Sequence, residues 1–283
     1  MFGDSWHGIF GVGEFFFGAD SALYQISFFI FQLMFCGTAA TLLSGAVAER
    51  MSFQGYIVVT IILSSLIYPF IGHWSWSSIY SEGNTGWLES LGFVDFAGAS
   101  VVHSVGGCVA LVAIIIIGLG AGRFDGDSPM PVGNNLPFAA LSVLLIWLGW
   151  LGWFGFNGGS TLLFGGDVPG IILNTFLGAL WGGLSASIFH YLFKRFTDVT
   201  FILNGIIAGL VSVTVAAHAI TPAESALAGI VAGGLLYFGM QWMERAKLDD
   251  VLGVIPAHLL AGIWGTLLVG LLGDDDKLGT GLS

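Results

Sequence analysis

The stretch DFAGASVVHSVGG, Asp95 to Gly107, places His103 inside a run without a charged residue from Phe96 to Gly122. That run is long enough to cross a bilayer, which takes about 20 apolar residues. An ionisable ring within a membrane span is costly, and such groups mark function by default. A second stretch, DVLGVIPAHLLAG from Asp250 to Gly262, has the same frame. Asp95 aligns with Asp250, Gly98 with Gly253, His103 with His258 and Gly107 with Gly262, so both read D-x2-G-x4-H-x3-G.

Composition places both stretches in a membrane. The 283 residues are 55% hydrophobic and 9% charged, against about 25% charged in soluble domains. Mean hydropathy is +0.89. The net charge of −11 resides largely in loops, at Asp125, Asp127, Asp249, Asp250 and Asp274 to Asp276. Seven Lys and Arg argue against a nucleic-acid surface. Cys36 and Cys108 sit in apolar runs as small hydrophobes. No signal peptide is read at the N-terminus, which lacks a positive region.

The uncharged intervals predict an all-α polytopic membrane protein with eight spans, near 24–48, 54–72, 96–119, 136–156, 168–193, 201–219, 225–243 and 251–272. Continuous apolar runs disfavour a β-barrel, whose strands alternate. Arg50, Arg123, Lys194, Arg195, Arg245 and Lys247 follow spans one, three, five and seven. With alternating spans all six face one side, the cytoplasm, and the N-terminus lies outside. The 44 glycines suit close helix packing.

The two histidine segments lie five spans apart, so they run in opposite directions, as in an inverted repeat. Residues 20–122 then hold the remainder of a first five-span repeat and 136–273 a complete second one, within a single membrane domain, 1–283. Each Asp stands at a helix N-terminus, where the dipole favours an anion. Eight residues at 1.5 Å put each histidine about 12 Å inside, so the two rings approach the midplane from opposite faces.

Several pieces together resemble the ammonium transporter family (Amt/Mep/Rh): FQLMFCGTAATLLSGAVAER, GHWSW, DFAGASVVH, GWFGFNGGS, LNGIIAGLVSVT and DDVLGVIPAHLLAGIWG. They stand in the family's order and cover most of the chain. The resemblance implies an ammonium-transporter fold of eleven spans in inverted five-span repeats, assembled as a homotrimer with one pore per subunit. This chain resembles spans three to ten and reads as truncated at both ends. The resemblance makes His103 and His258 the twin pore histidines. It makes Phe31, Phe35 and Phe156 the gate, and Phe35, Trp76 and Ser160 the ammonium recruitment site. Asp95 takes a structural role near the outer vestibule. A cytoplasmic regulatory protein, acting through a tail absent here, is a further implied partner, beside membrane lipid and the ammonium or ammonia carried.

The chemistry suits those residues. Moving a bare cation into hydrocarbon costs tens of kcal/mol by Born estimates. Ammonium, unlike potassium, sheds its charge by losing a proton. An aromatic cage recruits it with about 0.5–2 kcal/mol of cation–π attraction. Neutral imidazoles, each with one donor and one acceptor nitrogen, hold ammonia or pass the proton on. The expected function is therefore ammonium transport, with or without co-carried protons. An ammonium-sensing membrane module of a signalling protein is the alternative. An enzyme is disfavoured, since no catalytic carboxylate or nucleophile accompanies the histidines at their depth. Most of the 24 Phe and 10 Trp are packing or interfacial residues. His7, His73, His190 and His218 receive no role, and neither a cofactor nor a metal site is expected.

Overall fold

The computed structural model describes residues 4–12, 22–79, 83–126, 128–130 and 136–278. Helices dominate. They are α1 Leu23–Ala46, α2 Phe53–Ile79, α3 Ala99–Ile117, α4 Leu136–Gly159, α5 Val168–Lys194, α6 Val199–Thr214, α7 Pro222–Arg245 and α8 Ile255–Leu272. Two small hairpins, β1 Asp4–Trp6 with β2 Phe10–Val12 and β3 Phe124–Asp125 with β4 Ser128–Pro129, decorate the loops. Of these eight helices all but α6 are long and apolar enough to cross a membrane. Their outer faces bear exposed Leu, Ile and Phe, among them Leu144, Leu145, Leu148 and Leu151 on α4. Lipid covers such a face at no cost; water does not.

The expected span 201–219 is observed as the shorter α6, which stops at Thr214. Long-range pairing ends it. The amides of Phe96 and Ala97 donate to the carbonyls of Val215 and Thr214 at 2.9 and 3.1 Å. Those carbonyls would otherwise serve the next helical turn. The chain instead turns through Val215 to Ala219 within the core. The expected span 54–72 runs on to Ile79. A widened, π-helical turn at Leu63–Ile67 precedes Pro69, which has no N–H to give to a regular ladder.

Glycine decides how closely α5, α6 and α7 pack. A Cβ on Gly209 of α6 would lie 2.0 Å from the Gly178 carbonyl oxygen of α5. One on Gly233 of α7 would lie 2.4 Å from that of Gly182. Helix α7 starts with a reciprocal cap legible in the sequence TPAE: Thr221 N–H donates to Glu224 at 2.7 Å, and Glu224 N–H to the Thr221 hydroxyl at 3.3 Å.

One end of the bundle is tied by charge. Buried Asp249 lies 3.5 Å from Arg50 and 3.3 Å from Arg123, and Arg123 reaches Glu244 at 3.4 Å. Arg50 also donates to the carbonyls of Ala46 at 2.6 Å and of Gly118. The ends of α1, α3 and α7 therefore share one side.

Candidate functional site

The site grows from the two matched segments. Asp95 Oδ1 accepts N–H bonds from Gly98 and Ala99 at 2.7 and 3.0 Å, and Oδ2 from Ser100 and Val101 at 2.8 and 2.9 Å. Four orphan donors at the start of α3 are satisfied by one carboxylate. Asp250 accepts from Val254 and Ile255 at 2.9 and 2.6 Å before α8. Burial pushes both carboxyls up, Asp250 to about 6, while these N–H bonds pull the other way. Gly98 and Gly253 sit at φ of +103° and +74°, a turn that β-carbons disfavour. Each segment then opens as a π-helical turn, Ala99–Ser104 and Ile255–Leu260, and each turn carries its histidine. Such turns often mark functional positions.

The closing glycines of the motif allow the two helices to meet. A Cβ on Gly107 would lie 2.8 Å from Cβ of Leu259, and one on Gly262 2.5 Å from the Ala99 carbonyl oxygen. With nothing in the way, the imidazoles face each other. His103 Nδ1 and His258 Nδ1 are 3.2 Å apart, with ring centroids at 5.2 Å and 22° between planes. One Nδ1 must carry the hydrogen and the other accept it. The two Nε2 atoms are then opposite in kind, one acceptor and one donor. His103 is fully buried and its Nε2 has no hydrogen-bond partner among the described residues.

Beside the histidines stands an aromatic stack. Phe35 of α1 and Phe156 of α4 lie face to face at 3.8 Å and 12°. Phe156 is 6.2 Å from the His103 ring, and Phe31 is 4.7 Å from Phe35. Trp76 meets Phe35 edge to face at 5.9 Å and is held by a 2.6 Å bond from its Nε1 to the Asp95 carbonyl. The far side of the stack opens on a cavity of about 20 Å³, room for one water-sized occupant. Phe31, Phe35, Trp76 and Ser160 line it. The Ser160 hydroxyl donates to the Phe156 carbonyl at 2.9 Å, which leaves its lone pairs free to accept. The eight residues singled out by sequence thus form one connected set of contacts, from cavity to stack to histidine pair, with Asp95 fixing both Trp76 and α3.

Several neighbours escaped the sequence reading. Trp153 stacks on His103 at 5.0 Å and 11°, and its Nε1 is anchored on Thr214 Oγ1 at 2.7 Å. It sits one helical turn before Phe156, a spacing that puts both on one face and was available as a signal. Gln32 and Phe96 also line the cavity. Nothing in their local sequence marks them. His218 stacks at 4.2 Å on Phe96, a residue of the cavity lining, and His190 Nδ1 pairs with the Phe196 carbonyl at 2.8 Å. Among the described residues no group of three His, Cys, Asp or Glu could hold a metal.

Comparison with known proteins points one way. The profile of the Ammonium Transporter Family matches residues 1–282. A Synechocystis sp. protein, provisionally named an ammonium transporter, is 40% identical over 289 residues, covering 100% of this chain and 53% of its own. The ammonium transporter Amt2 of Archaeoglobus fulgidus is 38% identical over 288 residues, covering 97% of this chain and 59% of its own. The chain thus spans between half and two thirds of the length of these relatives. A solved structure titled as a sensor Amt protein superposes with a TM-score of 0.93 at 38% identity, over 98% of this chain and 69% of that one.

Proposed function

This chain belongs to the ammonium transporter family, and from that premise we propose that the protein moves ammonium across a membrane by recruiting the cation, removing a proton and conducting ammonia. Phe35, Trp76 and the Ser160 lone pairs recruit ammonium in the small cavity. Phe31, Phe35 and Phe156 form the gate, closed when Phe35 and Phe156 stack. His103 and His258 line the pore beyond it and relay the proton.

The observation that carries this reading is the 3.2 Å contact between the two Nδ1 atoms, adjoining the Phe35–Phe156 stack. In that arrangement a proton taken up at the accepting Nε2 is matched by transfer across the Nδ1 pair and release from the other Nε2. The pair titrates as one unit. Past the histidines charge travels only as a relayed proton, never as a bare cation, and potassium, with no proton to lose, is refused on chemical grounds. A recruitment site of cation–π strength is shallow enough to release what it binds.

The same reading assembles the protein as a homotrimer with one pore per subunit, from repeats at 20–122 and 136–273, with the N-terminal end outside. Supporting the orientation, Arg50, Arg123 and Glu244 share the ion cluster of Asp249, so the positively charged ends of α1, α3 and α7 gather on one side.

Sensing is the second reading, favoured by the likeness to the protein titled a sensor. In it the same cavity binds ammonium with little flux. Proteoliposomes carrying the full-length protein separate the two. An ammonium gradient should drive ammonium uptake while an equal potassium gradient drives none. Ammonium binding without uptake would overturn transport and leave the sensor.

A further inference from the structure

The small cavity beside the gate contains one polar group that recruitment by Phe35, Trp76 and Ser160 leaves unused. Phe28, Phe31, Gln32 and Phe35 of α1 all line it, one helical face at spacings of three and four. Gln32 is the only polar residue of the four. It is 8% exposed, and its Oε1 is buried with no hydrogen-bond partner among the described residues. A polar side chain within a membrane span is costly. An amide oxygen left unpaired there costs more than an apolar residue of the same shape would. Packing alone gives no reason for glutamine at this place, since methionine fills the same volume without that penalty.

The rest of the wall suits a ligand that brings its own hydrogens. The Trp76 N–H is occupied by the Asp95 carbonyl at 2.6 Å, and the Ser160 hydrogen by the Phe156 carbonyl at 2.9 Å. Apart from the Gln32 amide itself, no donor remains on the lining side chains, only ring faces and the Ser160 lone pairs. We infer that Gln32 is a further ligand for ammonium in this cavity: its side-chain oxygen accepts one N–H of the ion, Ser160 accepts a second, and the rings face the remaining charge. The final torsion of a glutamine is broad, so the oxygen can turn to an occupant. Two acceptors among rings fall well short of the oxygen shell that potassium sheds on leaving water, so the pair that holds ammonium adds little for potassium. The inference rests on the recruitment reading of the cavity and adds to it a residue that determines specificity.

The test is thermal melting of the detergent-purified full-length protein in ammonium chloride, with sodium chloride holding ionic strength constant and potassium chloride as the second cation. A ligand that binds only the folded chain raises the melting temperature, and the concentration needed scales with its Kd. Gln32→Met keeps length and volume and removes the oxygen. Without ammonium it should melt no lower than the wild type, because the unpaired oxygen is gone. The ammonium concentration that gives an equal rise should be about tenfold higher, as for loss of one hydrogen bond to a charged group. Its response to potassium should match that of the wild type. Gln32→Glu keeps an oxygen acceptor and should respond to ammonium at least as strongly as the wild type. An unchanged ammonium response in Gln32→Met overturns the inference. So does a Gln32→Met variant that melts well below the wild type before ammonium is added, which would make Gln32 a packing residue, or a Gln32→Glu variant as weak as Gln32→Met. Uptake by wild-type proteoliposomes separates this inference from the transport reading. Uptake together with an unchanged response in Gln32→Met keeps transport and removes Gln32 from it. A tenfold shift without wild-type uptake keeps Gln32 as a ligand, in a sensor.

Discussion

His103 has two ring nitrogens with different fates. Nδ1 is spent on His258, while Nε2 is buried with nothing to bond. A buried unsatisfied nitrogen costs about 1–3 kcal/mol, and the fold keeps it beside a narrow aromatic passage. Ser160 divides its valence in a similar way, with its hydrogen on Phe156 and its lone pairs toward the cavity. Ser160→Ala should therefore raise the KM for ammonium uptake about tenfold, the value of one hydrogen bond to a charged group, with little change in thermal stability. Asp250 supplies a pH signature. Its carboxyl is raised to about 6 in the folded chain, above the ordinary value near 4. The native state thus holds this proton more firmly than the unfolded chain does. The resulting stability is full below about pH 4 and is lost as pH rises through about 6. The melting temperature of the wild type should accordingly fall between pH 4 and 6 relative to that of Asp250→Asn. Parallel profiles would contradict the assignment.

At the scale of elements, the D-x2-G-x4-H-x3-G frame turns out to hold four physical jobs in order: carboxylate cap, left-handed turn, facing ring and close-approach glycine. The last is the most exposed to test. Gly262→Ala places a Cβ 2.5 Å from the Ala99 oxygen and from Ser104 Oγ, so the helices must part, at about 1–3 kcal/mol. Gly37→Ala, in α1, meets nothing within 4 Å and should instead stabilise by about 0.5–1 kcal/mol. Thermal melting of the two variants should move in opposite directions. Most of the helices were legible, because a charge-free run of apolar residues has few other fates. Both histidines were legible too, because two copies of one frame expose each other. The π-helical turns were not, since they depend on where Pro69, Pro256 and the capping carboxylates fall against the packing. Nor was the end of α6, which is set by amides more than a hundred positions away in the chain at Phe96 and Ala97.

At the scale of the molecule, distant parts are held by a few buried polar groups in an apolar bundle. Arg50 and Asp249 are 7% and 3% exposed; in the sequence Arg50 marked only a side of the membrane and Asp249 only loop charge, and nothing there paired them. Arg50→Ala leaves Asp249 buried with Arg123 alone and should cost about 3–5 kcal/mol, seen as lost yield or a lowered melting temperature in detergent. Trp153 is a similar case: its place on His103 depends on Thr214 of another helix, and sequence spacing alone ties it only to Phe156. The histidine pair remains the centre of the account, since α3 and α8 meet there and Trp153 and Phe156 of α4 pack on it. Ammonium and potassium currents through the full-length protein in a planar bilayer test it most directly, with His103→Ala and His258→Ala beside the wild type. The account predicts that each substitution lowers ammonium transport by about a hundredfold or more, as for loss of a proton-transfer group, or admits potassium. Ammonium current and ammonium-over-potassium preference both unchanged in the two variants would contradict it.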